Sequence, residues 1–166
     1  MAMQRPSRVR TLFLLAVCGF IGCSRGSHPS LVGRSAPDFV VQDSDRRVEL
    51  RGLTGKIVVL NFWATWCPPC VEEMPSLGAM QAQLRDQVQV LAVSIDEDGG
   101  AYHQFLQEHN IQFLTVRDPE QKSSSLYGTH GWPETYIIDR RGIVRRKFIG
   151  PVDWTRPEML EYLKTL

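Results

Sequence analysis

The chain has 166 residues, enough for one domain with a substantial core. Hydrophobic residues make up 43% and charged residues 22%, ordinary values for a soluble globular protein. The formal charge of +1 includes Arg5, Arg8 and Arg10; without residues 1–22 the chain carries 16 basic and 18 acidic side chains, a formal −2, and so offers no electrostatic case for nucleic-acid binding.

Arg5, Arg8 and Arg10 form a basic start, followed by an uncharged run from Thr11 to Gly22. That run is shorter than the roughly 20 residues a membrane-spanning helix needs. Residues 1–22 therefore read as an export signal. The following Phe20-Ile21-Gly22-Cys23-Ser24 sets a small residue before a cysteine. It resembles the lipobox of bacterial lipoproteins, with Phe20 where leucine is usual. The resemblance implies that Cys23 is lipidated and becomes the first mature residue. Cys18, after Val17, is the competing candidate; ordinary cleavage nearby and an uncleaved amphiphilic anchor are the alternatives. Residues 23–31 then form the lipidated cysteine and a flexible tether, small and polar from Ser24 to Ser30. The domain follows as residues 32–166.

Phe39–Gln42 and Arg47–Leu50 predict a short hairpin around Asp43-Ser44-Asp45. Gly52 to Gly55 reads as a turn. Ile57–Ala64 is the strongest strand, apolar on both faces as a central strand should be. A helix is predicted from Pro68 to Asp86, with prolines tolerated in its first turn and a kink at Pro75. Val88–Ile95 is a second continuous apolar strand. Asp96 to Gly100 breaks it, and Tyr102–His109 predicts a helix. Phe113–Val116 is a short strand, and Gln121–Tyr127 a helix stopped by Gly128. Glu134–Ile138 and Ile143–Ile149 are strands joined by a turn at Asp139-Arg140-Arg141-Gly142. Thr155–Leu166 closes the chain as an amphipathic helix. The alternation predicts an α/β domain, a mixed central sheet flanked by helices, with a right-handed crossover in its first strand–helix–strand unit.

With Cys18 in the signal and Cys23 at the tether, Cys67 and Cys70 are the two cysteines left in the domain. A framework of structural disulfides would need more, spread along the chain. One close pair in an exported protein points to a working redox couple. Positions three apart on a helix share a face, with Cβ atoms about 5–6 Å apart. A disulfide needs about 3.5–4.5 Å, a small adjustment. Cys67 precedes the helix and is expected to be exposed, near free backbone N–H groups and the positive end of the helix dipole, which favour thiolate. Cys70, one turn in, is expected to be shielded. Cys67 then attacks a substrate disulfide and Cys70 resolves the mixed disulfide. Pro68 and Pro69 bring no N–H and stiffen the loop. A zinc half-site would want a second ligand pair, whereas His103, His109 and His130 are scattered. A static disulfide closing so small a loop gains little entropy.

Phe62-Trp63-Ala64-Thr65-Trp66-Cys67-Pro68-Pro69-Cys70 resembles the active-site segment of the thioredoxin superfamily. Val71-Glu72-Glu73-Met74-Pro75 is similar to its exported TlpA/ResA-like branch. So are Ala36-Pro37-Asp38-Phe39 and the segment Gly131-Trp132-Pro133-Glu134-Thr135-Tyr136-Ile137-Ile138-Asp139. The resemblance covers roughly Val32 to Leu166. It implies a thioredoxin-like fold with an N-terminal β-hairpin and a strand–helix insertion, no cofactor and no metal, and a monomer.

The resemblance also implies site roles. Pro133 matches the family's cis-proline. The backbone of Trp132 would then face the cysteine pair and could pair with an extended substrate segment. Trp132 is large for that slot: it caps the site, or it packs on the domain. Trp66 flanks the site, or simply packs; Pro68 lies between the thiols and belongs with the substrate-contacting set. Glu73 would be a partly buried carboxylate that takes the proton of Cys70, against the plain alternative of a solvated helix residue. Glu72 reads as surface. Asn61 stands where thioredoxin has a buried Asp; it cannot titrate, which leaves Glu73 as the better acceptor. Arg140-Arg141 and Arg145-Arg146-Lys147 form a basic hairpin, either a solvated edge that discourages strand pairing or a contact for a membrane surface or acidic partner.

The activity implied is thiol–disulfide oxidoreduction, mainly reducing, on disulfides of exported proteins such as apocytochrome c. The donor would be a membrane thiol-reductant of the DsbD/CcdA type, and the location exported, anchored by lipid and facing the periplasm or cell exterior. Two other readings stand beside it. A thiol peroxidase shares Ala-Pro-Asp-Phe but wants Thr or Ser three before its cysteine and Pro seven before; Cys67 has Ala64 and Leu60, and Cys70 has Cys67 and Trp63. A copper chaperone-like lipoprotein would use the pair to bind copper(I), without a Met-rich or His-rich cluster beside it.

Overall fold

A computed structural model describes Met1 and residues 30–166 of the chain. The signal, Cys18, Cys23 and all but the end of the tether lie outside the described residues.

Val40–Gln42 (β1) and Arg47–Glu49 (β2) form the expected N-terminal hairpin. The predicted turn at Gly52–Gly55 includes the end of a single 3-10 turn over Leu50–Leu53. The main sheet has five strands: Ile57–Trp63 (β3), Val88–Ser94 (β4), Leu114–Arg117 (β5), Glu134–Ile138 (β6) and Val144–Ile149 (β7). Their order is β5-β4-β3-β6-β7, with β3 parallel to β4 and antiparallel to β6. All seven residues of β3 are buried, as its unbroken apolar run requires. Its pleat divides the core. Ile57, Val59 and Trp63 pack with one cluster that includes Met74, Leu77, Tyr102, Trp154 and Leu163. Val58, Leu60 and Phe62 pack with Phe39, Val41 and Tyr127 on the opposite face.

The helices are Pro68–Leu84 (α1), Gly99–Glu108 (α2), Lys122–Leu126 (α3) and Pro157–Lys164 (α4). Pro68 and Pro69 occupy the first positions of α1, and the helix runs on through Pro75. It buries Cys70, Glu73, Met74, Leu77, Met80 and Leu84, one stripe at helical spacing. Helix α2 starts earlier than the sequence predicts, inside the segment read as a break. The Asp98 side chain accepts the N–H groups of Gly100 and Ala101, and this cap lets two glycines begin a helix.

The tight turn between β6 and β7 is the predicted one. Gly142 sits there at φ 78°, and Asp139 accepts the N–H groups of Arg141 and Ile143. A contact without a strand signal in the sequence joins this turn to the start of the domain. Gly33 donates to Val144, Val144 to Arg34 and Ala36 to Gly142. The N-terminal segment thus covers the outer edge where β7 begins.

Candidate active site

Strand β3 ends at Trp63, and the chain turns through Ala64-Thr65-Trp66 into α1. The turn is held by Asp96, which follows β4. Its carboxylate accepts the Thr65 N–H at 3.0 Å and the Thr65 hydroxyl at 2.6 Å, and the Ser94 hydroxyl at 2.5 Å. Asp96 is 2% exposed, so these donors replace its hydration. Asp96 looked like a loop residue in the sequence; its position directly after a buried parallel strand was the signal that it faces the strand ends.

Cys67 is the N-cap of α1 and Cys70 lies in its first turn. The two form a disulfide, with Cα atoms 5.3 Å apart. Cys70 is fully buried, as expected. Cys67 is not exposed as the sequence suggested: in the disulfide only 6% of its surface is accessible. Bonding to a buried partner draws its sulfur inward. The free N–H groups expected at the helix start are also missing. Pro68 and Pro69 have none, and the N–H groups of Cys70 and Val71 both donate to the Cys67 carbonyl, at 3.0 and 3.1 Å. The helix dipole is what remains to favour a Cys67 thiolate.

Phe62 pairs with Glu134, which brings Trp132 and Pro133 alongside the end of β3. The Trp132–Pro133 peptide bond is cis. Trp132 is half-buried, packs against both core clusters and meets Trp66 edge-on, ring centroids 6.3 Å apart. Trp66 is 61% exposed. Trp132 therefore packs on the domain and borders the site at once, while Trp66 presents an open ring. Pro68 is exposed on the same rim.

One turn beyond Cys70, Glu73 is 2% exposed and lies in the apolar stripe of α1, not on its solvent face. Glu72, by contrast, is exposed. The Oε1 of Glu73 accepts the Trp154 indole N–H at 2.5 Å and the Val152 N–H at 3.2 Å; Oε2 accepts Asn61 Nδ2 at 3.3 Å. Asn61 also donates to the Thr135 hydroxyl at 2.8 Å. The loop after β7 is tied down beside it, since Ser76 Oγ donates to the Val152 carbonyl and accepts the Trp154 N–H. Burial pushes the Glu73 carboxyl up from 4.5 to about 7, against the pull of its Trp154, Val152 and Asn61 donors. A group poised there can take or give a proton at neutral pH. The sequence pointed to Glu73 through the family pattern and through its place three residues after Cys70, on the same helical face. It did not point to Trp154, whose partner is 81 residues away.

The charges of the basic hairpin are partly engaged. Arg145 bonds Asp139 at 2.6 Å, Lys147 reaches buried Glu134 at 2.9 Å, and Arg146 lies 3.7 Å above the Tyr162 ring. Glu134, next to Pro133, also accepts the hydroxyls of Thr129 and Tyr136.

Residues 32–147 match the AhpC/TSA family. The thiol-disulfide oxidoreductase ResA of Bacillus anthracis is 32% identical over 165 residues, covering 95% of this chain and 94% of that protein. The thiol:disulfide interchange protein DsbE of Pseudomonas aeruginosa is 37% identical over 128 residues, covering 75% of this chain and 69% of its own. Among solved structures, one assigned as a thiol:disulfide interchange protein DsbE, from Chlorobium tepidum, superposes with a TM-score of 0.71 at 36% identity, over 81% of this chain and 93% of the other.

Proposed function

The chain belongs to the AhpC/TSA family, as a thioredoxin-fold thiol–disulfide oxidoreductase related to ResA and DsbE, and on that footing we propose that it reduces disulfides in exported proteins, apocytochrome c among them, with Cys67 attacking and Cys70 resolving. The observation that carries this reading is the placement of a disulfide at a helix start, one turn from a buried carboxyl poised near pH 7.

In the reduced chain the Cys67 thiolate attacks one sulfur of the substrate disulfide. A Cys67–substrate disulfide forms and the other substrate sulfur leaves as thiolate, to be protonated by water. The Cys70 thiol then passes its proton to the Glu73 carboxylate and attacks Cys67 Sγ. The Cys67–Cys70 disulfide closes and the second substrate sulfur leaves. Two electrons have moved to the substrate. A membrane dithiol donor of the DsbD/CcdA type returns them by the same exchange in reverse. Trp66, Pro68, Trp132 and Pro133 form the rim against which an extended substrate segment lies. The signal of residues 1–22 exports the chain, and lipid on Cys23 with the tether to residue 31 holds the domain of residues 32–166, a monomer, on the membrane facing the periplasm or cell exterior. Nothing at the site favours peroxide chemistry: Leu60 and Ala64 are buried and apolar, and the Thr65 hydroxyl is bound to Asp96.

Trapping tests the reading. The Cys70→Ser chain, expressed in the cell, should accumulate a mixed disulfide through Cys67 with an exported cysteine-containing protein, identified by mass spectrometry. Recovery of no such adduct, with the wild-type pair cycling normally, would refute it.

A further inference from the structure

We infer that the end of the domain remote from the cysteines is a docking face for an anionic phospholipid surface, and that the molecule stands on the membrane with its redox centre pointing away. This rests on the tether reading above and adds an orientation to it.

The geometry is set by β3. Lys56 precedes the strand and Cys67 follows it, with the seven residues of β3 between, a span of roughly 20 Å. The β6–β7 turn lies at the Lys56 end, because Val58 pairs with Ile138 while Phe62 pairs with Glu134. Gly55 donates to the Arg140 carbonyl at 3.0 Å, and the Arg140 side chain reaches Gln87 at 3.3 Å. Gln87 is two residues past Arg85, where α1 ends. A shallow cavity at this end is lined by Lys56, by Arg51 with its partner Asp38, and by Arg141 with its partner Asp139. The first residues of the domain arrive here too, since the Arg34 carbonyl accepts the Val144 N–H.

Arg34, Lys56, Arg85 and Arg141 are exposed, as is the acidic Asp86 next to Arg85, which leaves the basic side chains in excess at this end. Among the described residues, Arg34, Lys56, Arg85 and Arg140 make no ion pair. At the opposite end the exposed charges beside the cysteines include Glu72 on α1 and Glu97 and Asp98 before α2. The chain is therefore polarised along its sheet. At physiological salt the field of a charged surface decays over about 8 Å. An anionic bilayer attracts the near, basic end and hardly senses the far one. The short tether joins the domain at that same basic end, so anchor and charge favour one orientation. Substrates then reach the cysteines from the aqueous side, and the membrane donor of the proposed cycle has to present its dithiol on that side too.

Photocrosslinking to lipid tests this in the full chain reconstituted with vesicles. A photocrosslinking amino acid is placed at Arg141 or, for the far end, at Glu97. With vesicles containing anionic phospholipid, the Arg141 position should give lipid adducts several-fold above the Glu97 position. The excess should fall in high salt, in zwitterionic vesicles, and in a chain carrying Lys56→Glu and Arg140→Glu. That variant should keep its insulin-disulfide reduction in solution, which shows that it folds. Equal adducts at both positions, or an excess indifferent to lipid charge and salt, overturns the docking face while leaving the anchor standing if the chain floats with the vesicles. Flotation with neither vesicle type removes the anchor. An acidic protein as the occupant of this face would give no lipid excess at Arg141, which also overturns the inference.

Discussion

Glu73 is a carboxyl inside an apolar stripe, and its position dictates how the chain responds to pH. Its folded value, about 7, lies above its ordinary 4.5, so the folded state binds the extra proton. Stability contributed by the neutral form is complete below about 4.5 and is lost as pH rises through 7. At about 1.4 kcal/mol per unit, the cost of ionising it in place is about 3 kcal/mol. Glu73→Gln should therefore match the wild type in denaturant midpoint near pH 4 and exceed it at pH 8 by up to that amount. The same substitution should slow resolution of the mixed disulfide at neutral pH and leave the first attack by Cys67 unchanged. Trp154→Phe removes the indole donor from Oε1 but keeps most of the packing. Its loss should raise Glu73 further, moving the pH dependence of resolution upward; an unmoved profile would show that the indole only fills space. The positions of the residues that carry a motif, Cys67, Cys70, Pro133 and Glu73, were legible in the sequence, while their roles belong to the proposal. Trp154 and Asn61 as a donor were not, because each acts through a partner distant in the chain.

At the scale of elements, two aspartates after β4 fix local geometry, one at the turn that carries the site and one at the start of α2. Asp96 holds the turn before Cys67 through Thr65, and Asp98 caps α2. Asp98→Ala leaves two N–H groups unmet at an exposed helix start and should cost about 1 kcal/mol, read as a lower denaturant midpoint with unchanged slope. Asp96→Ala strands the part-buried Thr65 donors and the buried Ser94 hydroxyl and should cost more, about 1–3 kcal/mol, while also loosening the Cys67 turn. Continuous apolar runs announced β3 and β4, and prolines marked the start of α1. The start of α2 was misplaced because Gly99 and Gly100 read as breakers; the Asp98 cap, a local hydrogen bond, overrides their poor propensity. The exposure expected for Cys67 failed because a helix-start position says nothing of the disulfide that draws the sulfur inward.

For the molecule as a whole, the sequence pattern of strands and helices gave the class and the mixed sheet, since alternation and apolar runs are properties of segments. The closure of the sheet edge by residues 33–36 was hidden, because an irregular segment carries no strand periodicity. Three backbone hydrogen bonds join it to residues 142–144. A chain lacking residues 1–36 should fold yet lose about 3 kcal/mol, at about 1 kcal/mol per bond, whereas removal of residues 1–29 should leave the midpoint in place. This also tests the proposed start of the domain.

The proposed chemistry requires two thiols made unequal by their surroundings, with Glu73 serving the inner one. Rapid alkylation of the reduced chain across pH 5–9, with each cysteine followed by mass spectrometry in wild type and Glu73→Gln, measures this most directly. Cys67 should react as a thiolate well below the ordinary cysteine range of about 8.5. Cys70 should lag behind it, with a pH profile that bends near 7 in the wild type and loses that bend in the variant. Equal rates at the two sulfurs, both following an ordinary cysteine and unmoved by Glu73→Gln, would contradict it.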